Sequence, residues 1–311
     1  MENKKNSKAP ILFVVFNRKD IALQAFSKIR EYAPKRLYIA ADGPRLEVIG
    51  EDEICKSVKE EILKSIDWDC EINTLFSESN KGCSLGVSSA IDWFFKNEEY
   101  GIILEDDCIA SNSFFRFAEE LLFKYKDDQR IGMIAGHNAV RKYNFKASYC
   151  FSKYKACWGW ATWRRAWENQ DINMAWQEGE SKMNIILNSG YLSKDVLNWK
   201  NKIKSILNSR VSAWDWQWYF SLSAQNQLCI FSRENLVSNI GFGENATHTK
   251  GSMKRVLAAN ELVFPLEHPK YIVPDYNFDK AFYKRNNTVL HKVKLLLPRF
   301  LRVLIKRLIQ K

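Results

Sequence analysis

Gly101-Ile102-Ile103-Leu104-Glu105-Asp106-Asp107 is the stretch on which the reading of this chain turns. A short apolar run followed at once by three carboxylates reads as a buried strand that delivers its acids at its carboxyl end. Carboxylates held a few ångströms apart raise one another's pKa unless a cation intervenes. A divalent ion, Mn2+ or Mg2+, resolves that conflict, because it takes one or two carboxylates and fills its remaining positions with water and substrate phosphate oxygens. For the triplet alone, a solvated acidic turn is the plain alternative.

The hundred residues before it alternate short apolar runs with helix-period segments. Residues 11–16 read as a buried strand and 19–32 as a helix with Leu23, Phe26 and Ile29 on one face. A second strand over 37–41 stops at the turn signature Asp42-Gly43-Pro44. Ile54, Val58 and Ile62, four apart, predict a helix over 51–66; residues 71–76 alternate like a strand, and 85–95 read as a third helix. This order predicts an α/β fold, a mostly parallel sheet covered by helices. Ligands of such sheets bind in the crevice outside the carboxyl ends of the strands. Asn17-Arg18, Asp42-Gly43, Asn80-Lys81-Gly82 and the acidic triplet occupy those ends.

From about residue 141 the texture becomes tryptophan-rich. In Trp214-Asp215-Trp216 a carboxylate sits between two indoles, and a partly desolvated carboxylate within reach of a hydroxyl suits a general base. The alternative is an aspartate that caps a helix beginning at Trp216. In Gly241-Phe242-Gly243-Glu244-Asn245-Ala246-Thr247-His248 a hydroxyl, an amide and an imidazole stand near two glycines, as in a loop that closes over a diphosphate or in an ordinary turn. Of the aromatic run from Cys157 to Trp167, most tryptophans read as core. Trp158 and Trp160, flanking Gly159, are placed at a pocket wall.

A chain of 311 residues with 46% hydrophobic content can bury a full core. The first apolar run is too brief to span a bilayer, so neither a signal peptide nor an anchor is expected. Seven cysteines without paired spacing fit reduced thiols in a cytosol. The net charge of +11 is uneven: residues 280–311 hold ten Lys or Arg and no acid, leaving the rest at +1. A nucleic-acid reader needs a basic groove on its folded body, so that class is set aside. In the tail, Val293, Leu297, Phe300, Leu304 and Leu308 fall at helical spacing, opposite Arg299, Arg302 and Lys306. A basic amphipathic helix of this kind lies in a membrane interface, or else packs on the protein's own body or a partner.

With these motifs in order, the chain resembles the inverting glycosyltransferases of the GT-A fold, above all the N-acetylglucosaminyltransferase I family and bacterial family 2-like sugar transferases. The likeness runs from about residue 10 to 248: Glu105-Asp106-Asp107 followed by Phe114-Phe115, Gly159-Trp160 with Trp163 or Trp167, Trp214-Asp215, then Phe242-Gly243 with Thr247-His248. Asn80-Lys81-Gly82 looks like the Asn-x-Gly element of the family 2 enzymes.

The resemblance implies that Asp107 coordinates Mn2+ (or Mg2+), Asp106 contacts a ribose, Glu105 holds the donor sugar and Asp215 deprotonates an acceptor hydroxyl. Asn17, Arg18, Asp42, Asn80, Lys81, Thr247 and His248 would complete the donor site, and Trp158, Gly159, Trp160 and Trp214 the sugar pocket. The implied organisation is a GT-A domain over 10–279, with a nucleotide-sugar half to about 140 and an acceptor half from 141, followed by a membrane-associating tail over 280–311. The implied reaction moves a hexose or N-acetylhexosamine from a UDP-sugar to a glycan or lipid-linked acceptor of a bacterial surface polysaccharide, on the cytoplasmic face of the membrane.

Two rival readings stand beside this one. A nucleotidyltransferase or phosphohydrolase could use the same acids, although a nucleotidyltransferase of this shape opens with a glycine-rich loop and residues 16–20 contain no glycine. A non-catalytic, membrane-bound carbohydrate-binding protein would need neither metal nor base.

Overall fold

The computed structural model describes residues 8–140, 143–190, 196–208, 213–241 and 256–286. Thr247, His248 and the amphipathic part of the tail lie outside these residues. Among the described residues, no helix is long and apolar enough to cross a membrane.

Four parallel strands, β1 (Ile11–Val15), β2 (Arg36–Ala41), β3 (Glu71–Phe76) and β4 (Tyr100–Glu105), alternate with α1 (Lys19–Tyr32), α2 (Glu51–Lys64) and α3 (Gly82–Asn97). The expected mostly parallel sheet covered by helices is what the chain builds. Its order, β3-β2-β1-β4, records a reversal. The chain steps outward from β1 to β3, then crosses back to lay β4 on the other edge of β1. A crevice therefore opens beyond the carboxyl ends of β1 and β4, the switch point at which sheets of this class receive ligands. Because Val14 is level with Glu105, the turn at Asn17-Arg18 comes to rest beside the acidic run.

The later strands extend the same sheet out of chain order. β8 (Trp160–Trp163) lies antiparallel against β4, followed by β6 (Ile131–Ala135), β9 (Leu228–Ser232) and β7 (Tyr149–Ser152). β6 and β9 run with the first four strands, whereas β8 and β7 oppose them. Alternation along β1 divides the core between the two faces. Phe13 and Val15 meet Phe26 and Ile29 of α1 and Val58 and Ile62 of α2. Leu12 faces Ile91 and Phe94 of α3 and Trp218 of α8 (Asp215–Ala224) on the other side. Strands covered on both faces read as unbroken apolar runs, which is why the first half was legible.

Two expectations shift, each for a local reason. The buried stripe of α2 is Cys55, Val58 and Ile62, a spacing of three and four; Ile54 stands 47% exposed. Helix α3 begins at Gly82 instead of Leu85, because the Asp42 carboxylate accepts the N–H groups of Lys81 (2.9 Å) and Gly82 (3.0 Å) and so satisfies donors that an opening helix leaves unpaired.

The turns at the carboxyl edge are tied together by Glu51 at the start of α2. Buried to 1% exposure, it accepts Asn17 Nδ2 (2.7 Å), the Arg45 N–H (2.7 Å) and the Arg45 guanidinium. The Arg45 side chain is the main cause that holds the Glu51 carboxyl down at about 2, against the ordinary 4.5. A carboxyl whose folded value is depressed adds stability that is present above the unfolded value and is lost as pH falls through the folded one. The Glu51 contribution is therefore complete above about pH 4.5 and erodes toward pH 2. Urea midpoints measured across that window should fall less steeply in Glu51→Gln than in wild type; equal slopes would show that the tie adds nothing.

Candidate functional site

The acidic run is held from both sides. Glu105 ends β4, and one turn later β5 (Cys108–Ala110) pairs antiparallel with β10 (Val237–Asn239), with Cys108 opposite Asn239. Arg18, at the end of β1, spans the crevice. Its Nε donates to Asp106 Oδ2 (3.2 Å), and its Nη2 donates to Asp106 Oδ1 and to Asp107 Oδ2 (3.1 Å). On the far side, Asn239 Nδ2 donates to Asp107 Oδ1 (3.0 Å) and the Ile240 N–H donates to the Asp107 carbonyl (2.9 Å). The chain then passes directly over the carboxylate at Gly241. A Cβ there would lie 2.0 Å from Asp107 Oδ2, so any larger residue would displace that carboxylate.

Charge in this crevice is unbalanced. Burial, then repulsion from Asp107, Asp106 and Asp215, raises Glu105 well above the usual carboxylate range, against a smaller opposing pull from Arg18. Asp106 is also raised, by burial first, despite its ion pair with Arg18. Burial on its own would lower Arg18, but the two aspartates beside it more than offset that and raise it. One guanidinium thus sits among Glu105, Asp106 and Asp107, with Asp215 adding repulsion at Glu105, and a further positive charge would relieve that crowding.

Of the two aspartates, Asp107 is the more open. Its side chain is 15% exposed against 5% for Asp106, and both its oxygens are oriented by neighbours. Among the described residues, no three His, Cys, Asp or Glu side chains form a cage for an ion. Mn2+ or Mg2+ at Asp107 would accordingly draw most of its ligands from phosphate and water, which is its usual habit. The residues present fit such an ion.

Asp215 reaches this field from the first turn of α8, where the positive end of the helix dipole lies beside a carboxylate. Cys157 Sγ is 4.0 Å from Asp215 Oδ2. Behind Asp215 stands a block of indoles. Trp160 stacks on Trp214 with centroids 5.7 Å apart and lies 6.0 Å from Trp218, while Trp167 and Trp218 are 4.8 Å apart.

This corrects the expected sugar pocket. Trp160 has no exposed surface and Trp214 is 3% exposed, so both belong to the core. β8 is covered on both faces, so Trp160 is enclosed whichever way the pleat turns it, which Gly-Trp adjacency does not reveal. Gly159 is buried too, with φ +63° and Val237 2.7 Å from where a Cβ would stand, so it makes a close backbone turn and lines no pocket. Trp158 alone of the four keeps a half-buried ring, packed edge-on to His137 at 4.6 Å.

Asp42, Asn80 and Lys81 gather at the neighbouring strand ends. Besides Lys81 and Gly82, Asp42 accepts the Gly43 N–H (2.9 Å), and Asn80 Nδ2 donates to the Gly43 carbonyl (2.9 Å). These polar groups bind the two turns to each other, and the Lys81 side chain is exposed. Asn17 is engaged with Glu51. The structure therefore brings together Arg18, Glu105, Asp106, Asp107 and Asp215, and sets Asn17 and the Asp42 group in supporting turns alongside.

Cys83, in the first turn of α3, joins the two groups. Burial, then the charges of Glu105, Asp215, Asp107 and Asp42, pushes its thiol up to about 12. Neither Cys83 nor Asn239 was singled out from the sequence, and no motif surrounds Asn239; only its pairing opposite Cys108 brings it to Asp107.

No protein-family model and no curated protein matches the chain. Solved structures that it resembles include the mannosyltransferase PcManGT from Pyrobaculum calidifontis in complex with GDP-Man and Mn2+, at 12% identity over 52% of this chain and 46% of that one, TM-score 0.37. Others are HddC from Yersinia pseudotuberculosis (6% identity, 50% and 77% covered, TM-score 0.30) and the glycosyltransferase GlyE in Streptococcus pneumoniae TIGR4 (11% identity, 72% and 54% covered, TM-score 0.34). The chain spans about half the length of the mannosyltransferase. Likenesses this distant carry no weight for activity, which has to be read from the site.

Proposed function

We propose that the chain is an inverting, metal-dependent glycosyltransferase that moves a hexose or N-acetylhexosamine from a nucleotide sugar, a UDP-sugar in the first instance, to a hydroxyl of a glycan or lipid-linked acceptor. The observation that carries this reading is the meeting of Arg18, Glu105, Asp106 and Asp107 at the switch point with Asp215 from a separate helix. A diphosphate needs positive charge and a sugar transfer needs a base; Arg18 with a cation at Asp107 would supply the first and Asp215 the second.

In this mechanism Asp106 and Glu105 hold the ribose and the sugar of the donor, and Trp158 lends a ring face to the pocket. Asp215 takes the proton of the acceptor hydroxyl. The hydroxyl oxygen bonds to the anomeric carbon on the face opposite the diphosphate, and the bond from that carbon to the diphosphate oxygen breaks with its electron pair leaving on the phosphate. The anomeric configuration inverts. A divalent ion at Asp107 would stabilise the charge on the departing group.

Thermal unfolding with a panel of nucleotide sugars, each with and without Mn2+, tests the donor site. A donor at a hundred times its dissociation constant should add about 2.7 kcal/mol, and Asp107→Asn should abolish the metal-dependent part. If no donor gives a metal-dependent shift, the reading fails. With a donor in hand, Asp215→Asn should keep the donor-induced shift yet lower kcat by about 10²- to 10⁴-fold. Wild-type turnover in that variant would remove Asp215 from the chemistry; intact binding with no turnover in either protein would favour a carbohydrate-binding module.

A bacterial surface polysaccharide is the product class we favour, with the protein peripheral on the inner face of the cell membrane and its basic tail at the lipid surface. Removing residues 290–311 should then reduce flotation with liposomes, and unchanged flotation would overturn the role of the tail.

A further inference from the structure

Helix α7 (Val196–Leu207) has a surface that the proposed reaction does not use. Its inner side, Trp199 and Ile203, packs in a small aromatic core with Phe220 of α8, whose ring centroid lies 5.4 Å from that of Trp199. Its outer side carries Leu197, Lys200, Asn201, Lys204 and Leu207, which follow one another at helical spacing and are all exposed. Leu197 is 63% and Leu207 48% exposed, so two leucines stand in water at the ends of a face whose middle is lysine.

The helix contains three lysines and no carboxylate; the nearest acid before it in sequence is Asp195. The neighbouring α6 (Lys182–Asn188) repeats the composition with exposed Lys182, Met183 and Leu187. The third lysine of α7, Lys202, lies 4.5 Å from the ring centroids of both Trp199 and Trp216. Trp216 directly follows Asp215, so α7 is fastened beside the turn that carries the proposed base.

We infer that the outer face of α7 docks on an anionic phospholipid surface. Lysines there meet lipid phosphate, and the two leucines at the ends of the same face reach into the interfacial layer. A nucleic-acid backbone or a soluble acidic glycan would satisfy the lysines and leave the leucines in water. Docked in this way, the first turn of α8 sits about one helix diameter, ~10 Å, from the headgroups, where a lipid-linked acceptor presents its sugar. Only that purpose rests on the glycosyltransferase reading; the lipid contact stands or falls separately, and it is additional to any contact made by the tail.

The test is co-sedimentation of the full-length chain with phosphatidylcholine vesicles that contain phosphatidylglycerol, and with phosphatidylcholine alone. Wild type should partition onto the anionic vesicles only. Neutralising Lys200 and Lys204 to Gln should lower the partition coefficient roughly 25-fold, at about fivefold for each lysine near an anionic surface. Leu197→Ser with Leu207→Ser should lower it about tenfold through lost apolar burial.

Lys56→Gln with Lys64→Gln, on the exposed side of α2, controls for net charge and should change it less than about twofold. If the α7 pairs behave like the α2 pair, the inference is overturned. It is equally overturned if they leave lipid binding intact but dissolve a dimer seen by sedimentation velocity, which would make the face a contact between copies of the chain. Donor-induced thermal shifts measured on the same proteins separate the two ideas: lost sedimentation with an intact shift supports the docking surface, while sedimentation without any shift in wild type would sink the enzyme reading alone.

Discussion

The contact between Arg18 and the Asp106-Asp107 pair is the constraint on which the rest of the site depends. Two adjacent carboxylates at a strand end, with Glu105 just before them, cannot stay ionised in a half-enclosed crevice without positive charge within hydrogen-bond reach. The guanidinium supplies it in a forked geometry that a lysine could not match. This contact requires β1 and β4 to be neighbours with their carboxyl ends level, and therefore requires the crossover that returns the chain from β3. The fold and the charge arrangement are thus one requirement seen at two scales.

How much of this can be read in the sequence depends on whether the information is local. The strands β1, β2 and β4, buried on both faces, announce themselves as apolar runs, the edge strand β3 alternates, and the helices between them show their period; the acids at a strand end and the turn at Asn17-Arg18 follow from the same pattern. What fails is what depends on a distant partner. The start of α3 was placed late because a carboxylate at the end of β2 satisfies its first turn. Asn239 reaches Asp107 through a two-stranded sheet whose other strand lies more than a hundred residues earlier, and β8 enters between β4 and β6 against chain order. Trp160 shows the limit most clearly: a tryptophan beside a glycine is equally compatible with a pocket and with a core, and only the elements that cover both faces of β8 decide.

The tryptophans that turned out to be core still bear on the chemistry. Trp160, Trp167, Trp214 and Trp218 interlock behind the first turn of α8, and aromatic pairs of this kind add about 0.5–1.5 kcal/mol each beyond burial. The indole N–H groups of Trp160 and Trp218 have no hydrogen-bond partner among the described residues, a cost that a core chosen for stability alone would avoid. Large flat rings with few rotamers hold a helix end in one place, and a base acts only within hydrogen-bond distance of the proton it takes. If Asp215 is the base proposed above, the block behind it is part of how the site is aimed, although its four rings belong to the core.

The acidic triplet and Asp215 differ in what surrounds them, and the difference separates their duties. Glu105 and Asp106 are raised by burial first and then by neighbouring like charge, with Arg18 committed to the pair at the strand end. Groups in that condition respond to an arriving cation and the phosphates it brings, because each added positive charge relieves a repulsion already present. Asp215 comes from another segment, at a helix start, with the Cys157 thiol beside it and its charge felt by Glu105. In the proposed reaction the acceptor proton goes to a carboxylate brought by a separate helix, while Arg18 stays with the strand-end pair. That division would matter for the timing of transfer: a proton arriving on the triplet instead would neutralise charge that is to retain a cation while the diphosphate departs.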